Sequence, residues 1–203
     1  MQSTFTLLGR FLLFFLAFGV AFFSMRYWSF ERISFLNLKP DEVFTDPFFR
    51  VSFYGHVIFG PLALMSGPFQ FLPKFRTRNI KAHRFIGKIY IIACLIAGIA
   101  GLSAAQFTPG GSFTQLGFSL LAVSWLYTTS KAIFAVRKKE IALHQQWMIR
   151  SYALTLSAVT LRLYLLALQD GLGFTFIESY QIVGWLCWVP NMVVAEWWIR
   201  TRM

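Results

Sequence analysis

Six stretches of this chain are apolar and long enough to cross a lipid bilayer as helices. A spanning helix needs about 20 consecutive, mostly apolar residues. Unpaired backbone polar groups are too costly in hydrocarbon for such runs to adopt an irregular structure. The runs predict transmembrane helices over residues 9–28, 51–73, 85–107, 114–136, 145–168 and 179–199.

The composition agrees with a chain that lies in lipid. Of the 203 residues, 57% are hydrophobic and 13% are charged, whereas a soluble domain carries about 25% charged residues. The interruptions between runs are short except for residues 29–50, which have mixed charge and suit an extramembrane loop with a short surface helix. We therefore predict an all-α, polytopic membrane protein, a single domain over residues 1–203 with a bundle of six transmembrane helices.

The first apolar run begins like a secretory signal peptide. Arg10 precedes the run, as a basic residue does in such peptides. The residues after the run, Met25 to Trp28, are too large for a signal-peptidase site, which requires small side chains. We interpret the run as an uncleaved first helix.

Positive charge alternates between successive connections. The formal net charge is +11, and the third and fifth connections carry none of the basic residues. Basic residues concentrate in cytoplasmic loops, so both termini are predicted to lie in the cytoplasm of a bacterial inner membrane (N-in, C-in). Because these charges flank apolar runs, nucleic-acid binding is not predicted. The basic positions are Lys74, Arg76, Arg78, Lys81, Arg84, Arg137, Lys138, Lys139, Arg200 and Arg202.

Two ionisable residues fall at a similar depth in the outer half of the predicted bundle. His56 lies in the second run and Arg162 ends a polar face of the fifth. At about 1.5 Å per residue, each lies within about 10 Å of the midplane. We expect them to line one outward-facing pocket that binds a quinone, a lipid headgroup or a small anion. In the alternative interpretation, Arg162 bonds backbone carbonyls or snorkels, and His56 bonds a neighbouring helix.

Two more histidines, His83 and His144, fall at equal depth near the cytoplasmic ends of the third and fifth runs. Neutral imidazole is a good axial ligand of haem iron and of other metals. A site for haem b or a metal between His83 and His144 is one prediction. The other is that both rings lie in the headgroup zone, where neighbouring basic side chains contact anionic lipid.

Small residues and one proline mark places where the helices are expected to pack closely or to break. Gly60, Ala63 and Gly67 share one face of the second run below His56, which allows a neighbouring helix to approach closely. Pro190 is expected to loosen the sixth run. No broken helix is predicted in the first half of the chain, so the paired interruptions typical of transporters are not expected.

Several short strings resemble an uncharacterised family of bacterial predicted membrane proteins over residues 50–198. The resemblance implies a membrane protein and implies no reaction. The chain also has a looser likeness to b561-type membrane cytochromes, but its three histidines allow one bis-histidine haem at most. The strings that carry the family resemblance are Gly55-His56, Gly67-Pro68-Phe69-Gln70, His83 to Tyr90, His144 to Tyr152 and Trp188-Val189-Pro190-Asn191.

Two functions stay open from the sequence. In one, the chain is a small integral membrane subunit that binds haem b or a quinone through intramembrane histidines in electron transfer. In the other, it is a structural or assembly subunit whose partners are the lipid bilayer and other membrane subunits. Hydrolase and phosphate-loop motifs do not occur in the sequence, so no enzyme activity is predicted.

The predicted orientation is open to a direct test with reporter fusions. A reporter fused after Thr108 is expected outside the cytoplasm, and one fused after Lys138 inside it. Paired alkaline phosphatase and green fluorescent protein fusions at the two positions measure this. Phosphatase activity of the fusion after Lys138, with fluorescence of the fusion after Thr108, would show that the orientation is opposite to the predicted one.

Overall fold

A computed structural model of the protein describes residues 7–203; residues 1–6, which the predicted domain includes, lie outside them. The described residues contain six helical spans long and apolar enough to cross a membrane, which confirms the predicted all-α architecture. The helices are α1 (Leu7–Ser24), α2 (Asp41–Thr45), α3 (Pro47–Gln70), α4 (Pro73–Arg78), α5 (Ile80–Ala105), α6 (Ser112–Arg137), α7 (Ile141–Thr155), α8 (Ser157–Leu166), α9 (Phe176–Leu186) and α10 (Val189–Arg202).

Shorter elements complete the spans. A 3-10 helix, Met25–Ser29, continues α1, and a second one, Ser34–Leu38, precedes α2 in the connection to the second span. A π-helix, Ala167–Gly171, ends the fifth span. The fifth span therefore consists of α7, α8 and this π-helix, and the sixth consists of α9 and α10.

Several spans begin before the predicted positions because polar caps, rather than hydropathy, set their starts. The α3 helix begins at Pro47 instead of residue 51, since the Asp46 carboxylate accepts a hydrogen bond of 2.7 Å from the backbone N–H of Phe48. The α5 helix begins at Ile80 instead of residue 85, since the side chain of Asn79 caps it. Hydropathy marks the lipid-facing part of a helix, and the capped turn extends beyond it.

The connections lie alternately at two ends of the bundle. The basic end holds α4, the turn between α6 and α7, and the last residues of α10. The opposite end holds residues 30–46 and the connections at residues 106–111 and 172–175. Two of the connections at the opposite end are in contact, since Lys39 donates a hydrogen bond to the carbonyl of Phe107, and Gln181 of α9 donates one of 2.9 Å to the carbonyl of Gly110.

Small residues let the spans approach closely. The ring of Tyr152 lies where a Cβ on Gly67 would stand, 2.0 Å from its nearest ring atom. A Cβ on Gly117 would lie 2.7 Å from the carbonyl oxygen of Gly184, so α6 and α9 are in backbone contact. The predicted groove is thus used for packing at Gly67, whereas Gly60 has open space beside it and borders a cavity.

A buried hydrogen-bond network joins α5, α6 and α7. The hydroxyl of Tyr90, a residue with 0% exposure, lies 2.8 Å from the Ser151 hydroxyl and 2.9 Å from that of Thr155. Trp125 donates to Thr155 over 3.0 Å, and Thr129 lies 2.8 Å from Ser151. Polar groups in hydrocarbon need such partners, so the network fixes how these three helices are rotated against each other.

The fifth and sixth spans are interrupted beside each other. The sixth span breaks at residues 187–188, and α10 then begins at Val189 with Pro190 in its first turn, in agreement with the interruption predicted at Pro190. A second break at Leu156 was not predicted, because no proline or glycine stands there. Hydroxyl groups lie at this break: Ser157 donates to the carbonyl of Leu154 in α7 and Thr160 to that of Leu156, and such bonds bend helices. Thr160 also donates 2.5 Å to the carbonyl of Cys187, so the two breaks are linked.

An ion pair ties the fifth span to the sixth near the basic end. The Arg150 guanidinium donates to both carboxylate oxygens of Glu196, over 2.5 Å and 3.0 Å. The same guanidinium lies over the Trp147 ring, 4.5 Å from its centroid, and the Nζ atom of Lys131, on α6, lies 5.8 Å from that centroid. A paired, stacked arginine suits a partly lipid-facing position.

Tyr90→Phe should destabilise the protein, because it removes two buried hydrogen bonds. Each such bond contributes roughly 0.5–1 kcal/mol, so the expected loss is about 1–2 kcal/mol, or a few degrees in the thermal midpoint. Tyr127→Phe is the matched control, since that ring is 55% exposed. Thermal unfolding in detergent measures both. Equal midpoints for the two variants contradict a stabilising role for the network.

Candidate functional site

A cavity of about 470 Å³ is lined by residues from all six spans. Small-molecule sites typically have volumes of about 300–1,000 Å³. Apolar side chains such as Phe53, Leu121 and Leu161 form most of its wall, and residues from the opposite end of the bundle close it. Its polar and charged lining consists of Ser24, Arg26, Tyr27, Lys39, His56, Thr108, Trp125, Thr155, Ser157, Arg162 and Tyr180.

His56 and Arg162, the pair predicted to share a pocket, both line this cavity. His56 lies on α3, and its side chain is accessible because the ring borders the cavity. Its Nδ1 lies 2.9 Å from the carbonyl oxygen of Ala97, and Gly101 leaves room for the ring, since a Cβ there would stand 2.7 Å from Nδ1. A carbonyl only accepts, so Nδ1 carries the proton and Nε2 of the neutral ring is an acceptor.

Arg162 reaches the cavity from α8. Its guanidinium donates 2.7 Å to the carbonyl of Ala158 and 2.7 Å to the hydroxyl of Ser24. These two bonds use two of the five guanidinium N–H groups. Among residues 7–203 the ion pairs are Arg32–Asp41 and Arg150–Glu196, so Arg162 has no carboxylate partner there.

The contacts of His56 and Arg162 include those of the structural alternative. His56 bonds a neighbouring helix at Ala97, and Arg162 bonds a backbone carbonyl of its own helix at Ala158. These bonds orient both side chains and leave further donors and an acceptor beside the cavity. The arrangement can therefore hold a ligand that has both accepting and donating oxygen atoms.

Lys39 closes the cavity at the opposite end, a role that was not predicted. It is 5% exposed, its Nζ donates to the carbonyl of Phe107, and Nζ lies 5.7 Å from the centroid of the Phe49 ring. Arg32 holds this segment in place by donating to the carbonyl of Lys39 and to the Asp41 carboxylate. Residues 30–46 thus fold over the bundle, and the feature that marks them in the sequence is their mixed charge.

The charge on the described cavity lining is of one sign. Arg26, Lys39 and Arg162 all line it, and none of its lining residues is Asp or Glu. Arg26 lies near the rings of Phe23 and Tyr27, 4.9 Å and 6.0 Å from their centroids. A low-dielectric cavity with several cations and no acid has a positive potential that attracts anions.

His83 and His144 lie at the basic end and do not line the cavity. The Nδ1 atom of His144 lies 2.9 Å from the carbonyl oxygen of Ala132. The buried Nδ1 of His83 has no hydrogen-bond partner among residues 7–203, and neither has the buried Nε2 of Gln70. No group of three or more metal-binding side chains occurs in this part of the chain. The haem b or metal site stays a prediction.

Burial should make the stability of the protein depend on pH through Lys39. It lowers the pKa of the Lys39 amine from 10.5 to about 8. Between these values the unfolded chain holds the proton and the native protein does not, so stability rises with pH from about 8 to 10.5. Below about pH 8 both states are protonated and this dependence disappears.

Thermal midpoints of the wild type and Lys39→Met across this pH range measure the effect. The difference between them removes the titration of tyrosines and other lysines, which both proteins share. We expect the wild type to gain stability relative to Lys39→Met as pH rises. Parallel curves would show that Lys39 is solvated at its usual pKa.

The comparisons with known proteins agree with the membrane architecture. The family model described as "Predicted membrane protein (DUF2306)" matches residues 53–199. No curated protein and no solved structure matches the chain. The looser likeness to b561-type cytochromes has no support from these comparisons and stays a prediction. The match spans the cavity-lining residues of α5 to α9, and those of α3 from Phe53 onward. The chain belongs to the DUF2306 family of predicted membrane proteins.

Proposed function

We propose that this multi-pass protein of a bacterial inner membrane binds an amphipathic ligand taken from the bilayer. One observation carries the proposal: a cavity with mainly apolar walls contains both His56 and Arg162, each oriented by hydrogen bonds. Ligand sites commonly combine an apolar lining with a few placed polar groups. The polar part of the ligand contacts His56 and Arg162, and its apolar part lies against the leucine and phenylalanine side chains.

A quinone, the ligand expected from the sequence, has the required chemistry. Its ring carbonyl accepts a hydrogen bond from the free N–H groups of Arg162. The hydroxyl of the reduced form donates to Nε2 of His56, and imidazole is able to take up that proton near neutral pH. In this role the protein is a small membrane subunit in electron transfer.

Direct binding tests the proposal. A short-chain quinone is titrated into the purified protein in lipid nanodiscs, and quenching of Trp125 and the other tryptophans reports occupancy. His56→Leu and Arg162→Leu each remove a polar contact worth roughly 1.5–3 kcal/mol, which corresponds to about a 10-fold or greater loss of affinity. His83→Leu is the control, because His83 does not line the cavity.

The comparison of variants decides between a site and nonspecific partition into lipid. Unchanged affinity in both cavity variants shows that the quinone does not bind there. An equal loss in His83→Leu shows that the cavity is not the site. Each variant is first checked for a wild-type elution profile and thermal midpoint, so that a loss of binding is not a loss of fold.

A further inference from the structure

We infer that the ligand of the cavity is an amphipathic anion, with a carboxylate or phosphate head bound by Arg162 and an acyl chain along the apolar wall. This inference rests on the proposed binding function and narrows its ligand to a charged class. It is carried by the distribution of charge around the cavity. Fatty-acid carboxylates and lipid phosphates share this chemistry.

Arg162 has no acidic partner among residues 7–203. A charged side chain within a membrane-spanning segment is costly unless it is paired or hydrated. Two other partly buried arginines do have acidic partners: Arg32 pairs with Asp41, and Arg150 pairs with Glu196. Arg162 instead has a backbone carbonyl, a serine hydroxyl and, at longer range, the tyrosines Tyr27 and Tyr180. An anion in the cavity supplies the charge that these neutral groups do not.

Two further cationic side chains, Lys39 and Arg26, lie at the same cavity. Both line the cavity with Arg162, and Lys39 is held there, shielded from solvent, by residues 30–46. The eight acidic residues of the chain all lie outside the cavity lining. A neutral ligand needs none of these cations, whereas an anion is attracted by all three.

The rest of the cavity wall is mainly apolar. Leu121 of α6, Leu161 and Leu165 of α8, and Phe53 of α3 line the same cavity. An acyl chain gains free energy wherever its methylene groups replace water against such side chains. The combination of a cationic region and an apolar wall in one cavity selects an ion with a long hydrocarbon tail over a small inorganic anion.

Three probes with the same oleoyl chain test the inference on the full-length protein in phosphatidylcholine nanodiscs. Oleate carries a carboxylate, 1-oleoyl-lysophosphatidate a phosphate, and methyl oleate no charge. Equilibrium binding of the radiolabelled probes measures each affinity. We expect at least one anionic probe to bind tenfold or more tightly than methyl oleate, and the stronger of the two identifies the head group.

Matched variants locate the charge that makes the distinction. Arg162→Gln keeps hydrogen-bonding capacity without charge and should bring the anionic probe down to the affinity of methyl oleate. Arg162→Lys should retain most of the preference, and Lys39→Gln should weaken the anion severalfold. Arg200→Gln is the control, because Arg200 is exposed on α10 and does not line the cavity.

The outcomes separate this inference from the function on which it rests. If methyl oleate or a short-chain quinone binds in the cavity as tightly as both anions, the ligand is not an anion, although the binding function stands. If neither the oleoyl probes nor the quinone bind, both the inference and the binding function fail. A preference for anions that survives Arg162→Gln also overturns the inference.

Discussion

The hydrogen bonds around the Tyr90 hydroxyl set the relative rotation of α5, α6 and α7, on which the rest of the bundle depends. This hydroxyl lies within hydrogen-bond distance of Ser151 and Thr155 on α7, while Trp125 and Thr129 bring α6 to the same two residues. In hydrocarbon no water is present to replace these hydrogen bonds, so the bonds hold the three helices in one rotation relative to each other. Trp125 and Thr155 also line the cavity. The network that joins these helices is therefore part of the cavity wall.

The broken spans explain how an arginine comes to lie beside a cavity within the bundle. The fifth span bends at Leu156, where the hydroxyls of Ser157 and Thr160 take up helix carbonyls, and Asn191 and Thr160 tie it to the break in the sixth. After this bend α8 turns its residues Ala158 and Arg162 towards α1 and the cavity. The hydrogen bonds of Arg162 go to neutral groups, and this is the basis for our proposal that it binds a ligand with oxygen acceptors.

How much of this was predictable follows from which physical rule each feature obeys. Bilayer thickness imposes span length, so hydropathy located all six spans, while the local caps Asp46 and Asn79 set two of their starts. Helical rise gives relative depth, which is why His56 and Arg162 could be expected near each other. The rotation of α6 has no such rule, because its polar residues do not form a single stripe. Of the polar residues of α6, Thr129 contacts Ser151, and no pattern in the sequence distinguishes it from Ser124 or Thr128.

Lys39 was beyond prediction for another reason. Its position depends on the contacts of Arg32 with the Lys39 carbonyl and Asp41, made in a segment without helical periodicity. The family match supports the membrane assignment and is silent on ligands. The cavity and its charges are therefore the features that indicate a function for this bundle.

A crystal structure of the protein grown in a lipidic cubic phase tests the central claim most directly. The account predicts elongated density in the cavity, with its polar end within hydrogen-bond distance of the Arg162 guanidinium and its tail along Leu121 and Leu161. A cavity filled by rearranged side chains, or one in which ordered water alone surrounds Arg162 in crystals grown with saturating oleate, contradicts it.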